Sequence, residues 1–214
     1  MARPREFDQN EVMNKVVEVF WSRGFEATSI QDLEGATGLK RGSLYNAFGD
    51  KATLFQEALS HYLEQSVVRR HLQTATTASA RTIIDGLLDV VVQEGAASRK
   101  GCLITNTVTE LAGRDAAVAE TVTEALNGLN APLIELLRRA QTEEDLAPDA
   151  DVAALARYIV GTIQGLRVMS KVSDDRQSLQ VIADSAKNAL WCRTGDGKAA
   201  SKGGFFDSLF GKGN

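Results

Sequence analysis

The chain is predicted to be all-α, and three observations carry that expectation. Apolar residues recur three and four positions apart along most of its length, as buried helix faces require. Gly, Ser and Asp punctuate those runs where helix caps belong. No stretch sustains the strict alternation of a half-buried strand. With 214 residues, 43% of them hydrophobic and 24% charged, the chain suits one or two domains with a full core. The predicted order is a three-helix head over residues 1–50, a helical body over 51–194 and a flexible tail over 195–214.

The first helix is expected over residues 9–23, with Val12, Val16, Val19 and Phe20 at helical spacing and Gly24 as its end. Phe25 should pack beneath the segment that follows. Thr28 or Ser29 caps a second helix whose Ile30 and Leu33 face inward. Gly38 supplies the positive φ that stops it, and Leu39 plugs the angle between two helices. A third helix over 40–48 buries Leu44 and Phe48, four apart. Gly49 closes it, and Asp50 caps the next helix, which opens with Lys51. The outer face of the third helix then carries Lys40, Arg41, Ser43, Tyr45 and Asn46. Such side chains reach phosphates and base edges in a major groove. The arrangement reads as a helix-turn-helix.

Thr28-Ser29, Gly38-Leu39, Gly42-Ser43-Leu44-Tyr45, Phe48 and Lys51 together resemble the DNA-binding pattern of the TetR family of transcriptional regulators. The match covers about the first quarter of the chain; the rest agrees in length, helical content and domain order. Glu34-Gly35 stands where the family usually has a small apolar pair. Ala47 stands where many members have a phosphate-touching histidine. The resemblance implies a homodimeric repressor that holds pseudo-palindromic double-stranded operator DNA and is released by a small-molecule or electrophile inducer. Together with the outer face of the third helix, it gives the expected DNA-binding set: Thr28, Ser29, Lys40, Arg41, Gly42, Ser43, Tyr45, Asn46 and Lys51. Tyr45 and Lys51 are expected on the phosphate backbone, with Arg41, Ser43 and Asn46 at base edges.

Charge agrees with local rather than indiscriminate binding. The net charge is −4, so any attraction for a polyanion must come from arrangement. Arg3, Arg5, Lys40, Arg41 and Lys51 are where the positive surface is expected. The N-terminus has no apolar core of a signal peptide, and no apolar run approaches a membrane span. A cytoplasmic protein is expected, with no membrane partner. Cys102 and Cys192 have neither metal nor redox spacing and read as reduced thiols. No cofactor or metal is expected.

In the body, the helix from Lys51 should run towards His71 as a connecting helix over 51–72, with Leu54, Phe55, Ala58, Leu59 and Tyr62 on its apolar stripe. A loop over 73–79 follows. Ile83, Ile84, Leu87, Leu88 and Val91 predict a helix over 81–93, broken by the segment from Gly95 to Gly101. Another is expected over 102–112. A long pattern over 116–141 contains Pro132 and should kink there or break near Gly128. After a loop, helices over 152–170 and 175–192 are expected to form the seam of a dimer. A charge at Ile163 or Leu190 should then yield monomers, or misfolding if the side chain is core.

The effector cavity is expected between the helices over 81–93, 102–112 and 116–141 and the inner face of the helix from 152. Cys102, Thr105, Asn106 and Thr109 are its candidate lining. Cys102 follows Gly101 at a helix start and is either a buried filler or a reactive thiol, with Lys171 as its expected cation. His61 and His71 are expected exposed. In the tail, Phe205, Phe206, Leu209 and Phe210 form an apolar cluster, read as a weakly attached end. Two other functions compete with the regulator. A protein-binding helical adaptor is one. An enzyme using Cys102 is the other, and it lacks an evident base, so no enzymatic activity is expected.

Overall fold

The computed structural model describes residues 8–74, 77–111, 113–173 and 175–192, all of whose regular elements are α-helices. Arg3, Arg5 and the 195–214 tail with its phenylalanines lie outside the described residues.

Side-chain caps start the first, second and fourth helices. In α1 (Gln9–Arg23), the Asp8 carboxylate accepts from the Asn10 and Glu11 amides. In α2 (Ile30–Thr37), Ser29 and Asp32 form a reciprocal capping box. Gly38, with φ 75, turns the chain into α3 (Arg41–Phe48). Asp50 accepts from the Thr53 amide to open α4 (Lys51–Glu64). Phe20, Leu33, Leu44 and Leu59 meet with no exposed surface. Phe20 and Phe55 pack edge to face, centroids 4.9 Å apart.

That core does not stop at the head. It continues into Cys102, Leu103, Ile104, Leu111, Val118 and Val122, from α7 (Leu103–Leu111) and α8 (Ala116–Asn127) and the residue before α7. A three-helix unit of this size buries too little alone, and here the body completes it.

The connecting helix is shorter than the sequence predicts. α4 stops at Glu64 and a separate α5 (Val67–Thr74) follows. The Ser66 hydroxyl accepts from the Arg69 amide, a local cap that starts the new helix. α6 (Ala80–Ala97) outruns its predicted end because Gly95 is a packing contact, not a break. A Cβ there would lie 2.9 Å from the Ser170 Cβ. The 116–141 pattern breaks at Gly128, as one of the two expectations had it: α8 ends at Asn127 and α9 (Asn130–Thr142) holds Pro132 in its first turn, where a missing N–H costs little. The last two helices, α10 (Val152–Val172) and α11 (Arg176–Trp191), join α6 and α9 in a second core around Leu87, Leu88, Leu133, Leu137, Ile159 and Ile163.

Candidate nucleic-acid interface and effector cavity

The reading face is α3. Lys40, Arg41, Gly42, Ser43 and Asn46 are exposed, while Leu44 and Phe48 are buried behind them. Lys40 holds the N-cap position but its side chain makes no cap bond. The cap comes from α2 instead: Glu34 Oε1 accepts the Arg41 N–H at 2.8 Å. The acidic residue that departs from the family pattern thus replaces a missing local cap. It leaves the Lys40 ammonium available to other partners. The Arg41 guanidinium lies 5.2 Å from the Tyr45 ring centroid, which holds both side chains together on this face.

Three members of the predicted DNA-binding set have contacts within the head. Thr28 is 1% exposed, and its hydroxyl donates to the Gly24 carbonyl at 2.6 Å. It is therefore a structural residue inside the head, because the cap role fell to Ser29. Ser29 is exposed, but its hydroxyl is engaged with Asp32 in the capping box. Lys51 is half-buried, its ammonium 4.5 Å from the Phe25 ring centroid.

Behind the head lies a cavity of about 450 Å³. Tyr62, Val68 and Arg69 line it from α4 and α5, Cys102 and Ile104 from the start of α7, Leu126, Leu129 and Pro132 from the α8–α9 bend, and Ile163, Gln164 and Arg167 from α10. The prediction of a wall from residues 81–93 fails. The break at Ser66 folds α5 across that place, and α5 packs on α6. Of the predicted lining, only Cys102 is present. Thr105 donates to Gln164 Oε1 at 2.5 Å, outside the lining. The Asn106 amide group donates to the Lys100 carbonyl, and Thr109 bonds back to its own helix at the Asn106 carbonyl. These three are helix-anchoring groups.

Cys102 itself is 2% exposed. Arg167 Nη1 donates to its sulfur at 2.9 Å, and the Tyr62 hydroxyl lies 3.6 Å from it. Arg167, 6% exposed, is paired through Nη2 with Glu94 at 3.0 Å, as a buried guanidinium requires. Burial pushes the Tyr62 phenol far above its ordinary range, and the Cys102 sulfur adds to that. Burial opposes the Arg167 charge, but Cys102, Tyr62 and Glu94 together outweigh it and raise its basicity.

The backbone seat for this cluster is Gly101, at φ 68. A Cβ there would lie 2.7 Å from the Lys171 stem and 3.1 Å from the Arg167 carbonyl. Lys171 is not the thiol's cation. Its ammonium reaches past Gly101 to Asn106 Oδ1 at 2.8 Å. Arg167 is one residue that sequence reasoning missed, although it falls four after Ile163 on the buried stripe. His61 and His71 are half-buried rather than exposed, bonded to Asn14 and to the Ile83 carbonyl respectively.

On the outside of the body, α10 and α11 keep apolar side chains in water. Tyr158, Val168, Met169 and Val172 are 43–70% exposed on α10, and Val181 is 59% exposed on α11. Gly161 and Gly165 lie on the same surface, with open space where a Cβ would sit. Ile163 and Leu190 point the other way, 1% and 3% exposed, and belong to the core. Among the described residues no cluster could hold a metal ion, and no helix is long and apolar enough to cross a membrane.

Two family models match the chain. "Bacterial regulatory proteins, tetR family" matches residues 14–58, and "Tetracyclin repressor-like, C-terminal domain" matches residues 80–186. The HTH-type transcriptional regulator YezE of Bacillus subtilis (strain 168) is 31% identical over 199 residues, 89% of this chain and all of that protein. The HTH-type transcriptional repressor ComR of Escherichia coli (strain K12) is 27% identical over 195 residues, 89% of this chain and 91% of its own length. Among solved structures, a cysteine mutant of the transcriptional regulator CifR complexed with 26-bp double-strand operator DNA superposes with a TM-score of 0.76. It shares 32% identity over 87% of this chain and 99% of that one.

Proposed function

This chain belongs to the TetR family of transcriptional regulators, and from that premise we propose that it is a homodimeric repressor in the cytoplasm. It holds a pseudo-palindromic operator and lets go when a small molecule fills the cavity behind the head. The observation that carries this reading is α3, an exposed cationic and hydrogen-bonding face capped from behind by Glu34. Lys40 and Lys51 serve the phosphates, with Tyr45 beside them. Arg41, Ser43 and Asn46 read base edges. The apolar stripe of α10 and α11 is the surface that a second copy covers, which sets two heads on two half-sites. No residue set among these is assigned an enzymatic step. Selection of bound fragments from a genomic DNA pool tests the proposal. An inverted repeat should be enriched; a pool with no enriched sequence would favour a protein-binding adaptor instead.

The contact between Arg167 and Cys102 favours a second route to release. The Cys102 sulfur is the nucleophilic atom of this wall, and the Arg167 guanidinium donates to it at 2.9 Å. Alkylation would form a thioether bond from sulfur to the electrophile's carbon, with the thiol proton passing to the leaving group or to the electrophile's oxygen. The electron pair of the broken bond would go to the electrophile's leaving group or oxygen. The added group would displace Arg167 Nη1 from the sulfur, and the cavity wall would shift. Release by an electrophile should disappear in Cys102→Ser, while release by a non-covalent ligand should survive.

A further inference from the structure

α7 joins the cavity to the reading head by a short path. It begins directly after Cys102, and Thr105 ties its first turns to Gln164 of α10. Its last turn carries Glu110. That carboxylate leaves the body and accepts two successive backbone N–H groups of the turn between α1 and α2. Phe25 donates to Oε2 at 3.1 Å and Glu26 to Oε1 at 2.8 Å. Gly24 makes the room. A Cβ there would lie 2.5 Å from Oε2, and the residue sits at φ 81. Arg114 reinforces the junction with an ion pair to Glu26 at 3.4 Å. Neither neighbouring helix needs Glu110 as a cap, since the Gly24 amide already donates to Phe20 and α2 has its Ser29–Asp32 box.

We propose that Glu110 is the coupling residue of this regulator. Its carboxylate latches the α1–α2 turn to α7, so a shift of α7 at the cavity reaches the reading head directly and not only along α4. The inference rests on the reading of the chain as a ligand-responsive DNA binder. The nine residues of α7 form a rod about 13.5 Å long. A carboxylate holding two adjacent amides is a directional, charge-assisted contact. A moving α7 must therefore drag the turn or break both bonds. Coupling is reciprocal, so DNA held by the head must in turn be felt along α7.

Reciprocity allows a test without any inducer. Hydrogen exchange would be followed by mass spectrometry in the full chain, with and without a duplex enriched from the genomic pool, for wild type, Glu110→Ala and Glu110→Gln. Glu110→Gln keeps the side chain's size but turns one acceptor into a donor facing an N–H. In the free proteins, both variants should exchange the Phe25 and Glu26 amides several-fold faster than wild type. In wild type, the duplex should slow exchange along α7 by about fivefold or more. In the variants it should still protect α3 while α7 keeps its free rate. An α7 that answers the duplex equally in the variants, or not at all in wild type, would overturn the latch. A protein that holds no duplex would instead overturn the DNA-binding reading, and the free-state comparison would still decide whether Glu110 holds the turn.

Discussion

Lys40 and Glu34 divide between them a task that one side chain usually performs. A Ser or Thr at the N-cap would satisfy α3 locally but leave no cation there. Here the cap is Glu34 and the cation is Lys40, on the face turned to solvent. Glu34→Ala should therefore weaken operator binding by about 1 kcal/mol through a frayed α3, while leaving the salt dependence nearly unchanged. Lys40→Ala and Lys51→Ala should each lower the slope of log affinity against log salt by about one, and weaken all sequences alike. Arg41→Ala should cost roughly 1–3 kcal/mol on the cognate site and relax one base position. Titrations at several salt concentrations separate these outcomes. An unchanged slope in Lys51→Ala would leave that residue only its contact with Phe25. The α3 face was legible in the sequence because helical spacing alone puts Leu44 and Phe48 behind it. The inward turn of Thr28 was not, because two adjacent hydroxyl residues can each cap a helix and only the fold chooses. Arg167 was hidden for a related reason. Nothing local says that Glu94, 73 positions away, will balance a cation on a buried stripe.

Element boundaries followed the chemistry of single residues more than composition. The ends at Gly24, Gly38 and Gly49 were readable, since each interrupts an apolar period and sits at positive φ. The break at Ser66 and the run through Gly95 were not. One depends on a serine cap within an otherwise continuous pattern, the other on a partner helix that needs the missing Cβ. The caps also predict how the head responds to acid. Ser29's hydrogen bonds hold the Asp32 carboxyl below its ordinary range, and those from Thr53 do the same for Asp50. A carboxylate with a depressed folded pKa contributes stability that is present above the unfolded value and is lost as pH falls. The melting temperature should thus drop below about pH 4. Asp50→Ala should melt lower at pH 7 and decline less steeply in acid, followed by circular dichroism. A decline as steep as wild type's would remove Asp50 from the account.

At the scale of the whole molecule, the proposed function makes the exposed stripe of α10 and α11 and the reading face of α3 parts of one device. Avidity of two linked heads can exceed that of one by roughly 10²–10⁴-fold, so dimerisation and DNA affinity should fall together. Val172→Asp and Val181→Asp place a charge on exposed surface, so they should sediment as folded monomers and lose operator affinity by roughly 10²-fold or more. Ile163→Asp should misfold instead, since its side chain has no surface. The face proposed for the dimer seam was only half visible beforehand. Both helices read as apolar on more than one face, but which face was core emerged only once α6 and α9 were packed against them. The most direct measurement of the central claim is a binding titration of the full-length chain on its enriched inverted repeat and on a scrambled duplex of equal length at physiological salt. One dimer per repeat, bound about 10³-fold or more tighter than to the scrambled duplex, is the predicted result. Equal affinity for the two duplexes would contradict a sequence-reading regulator.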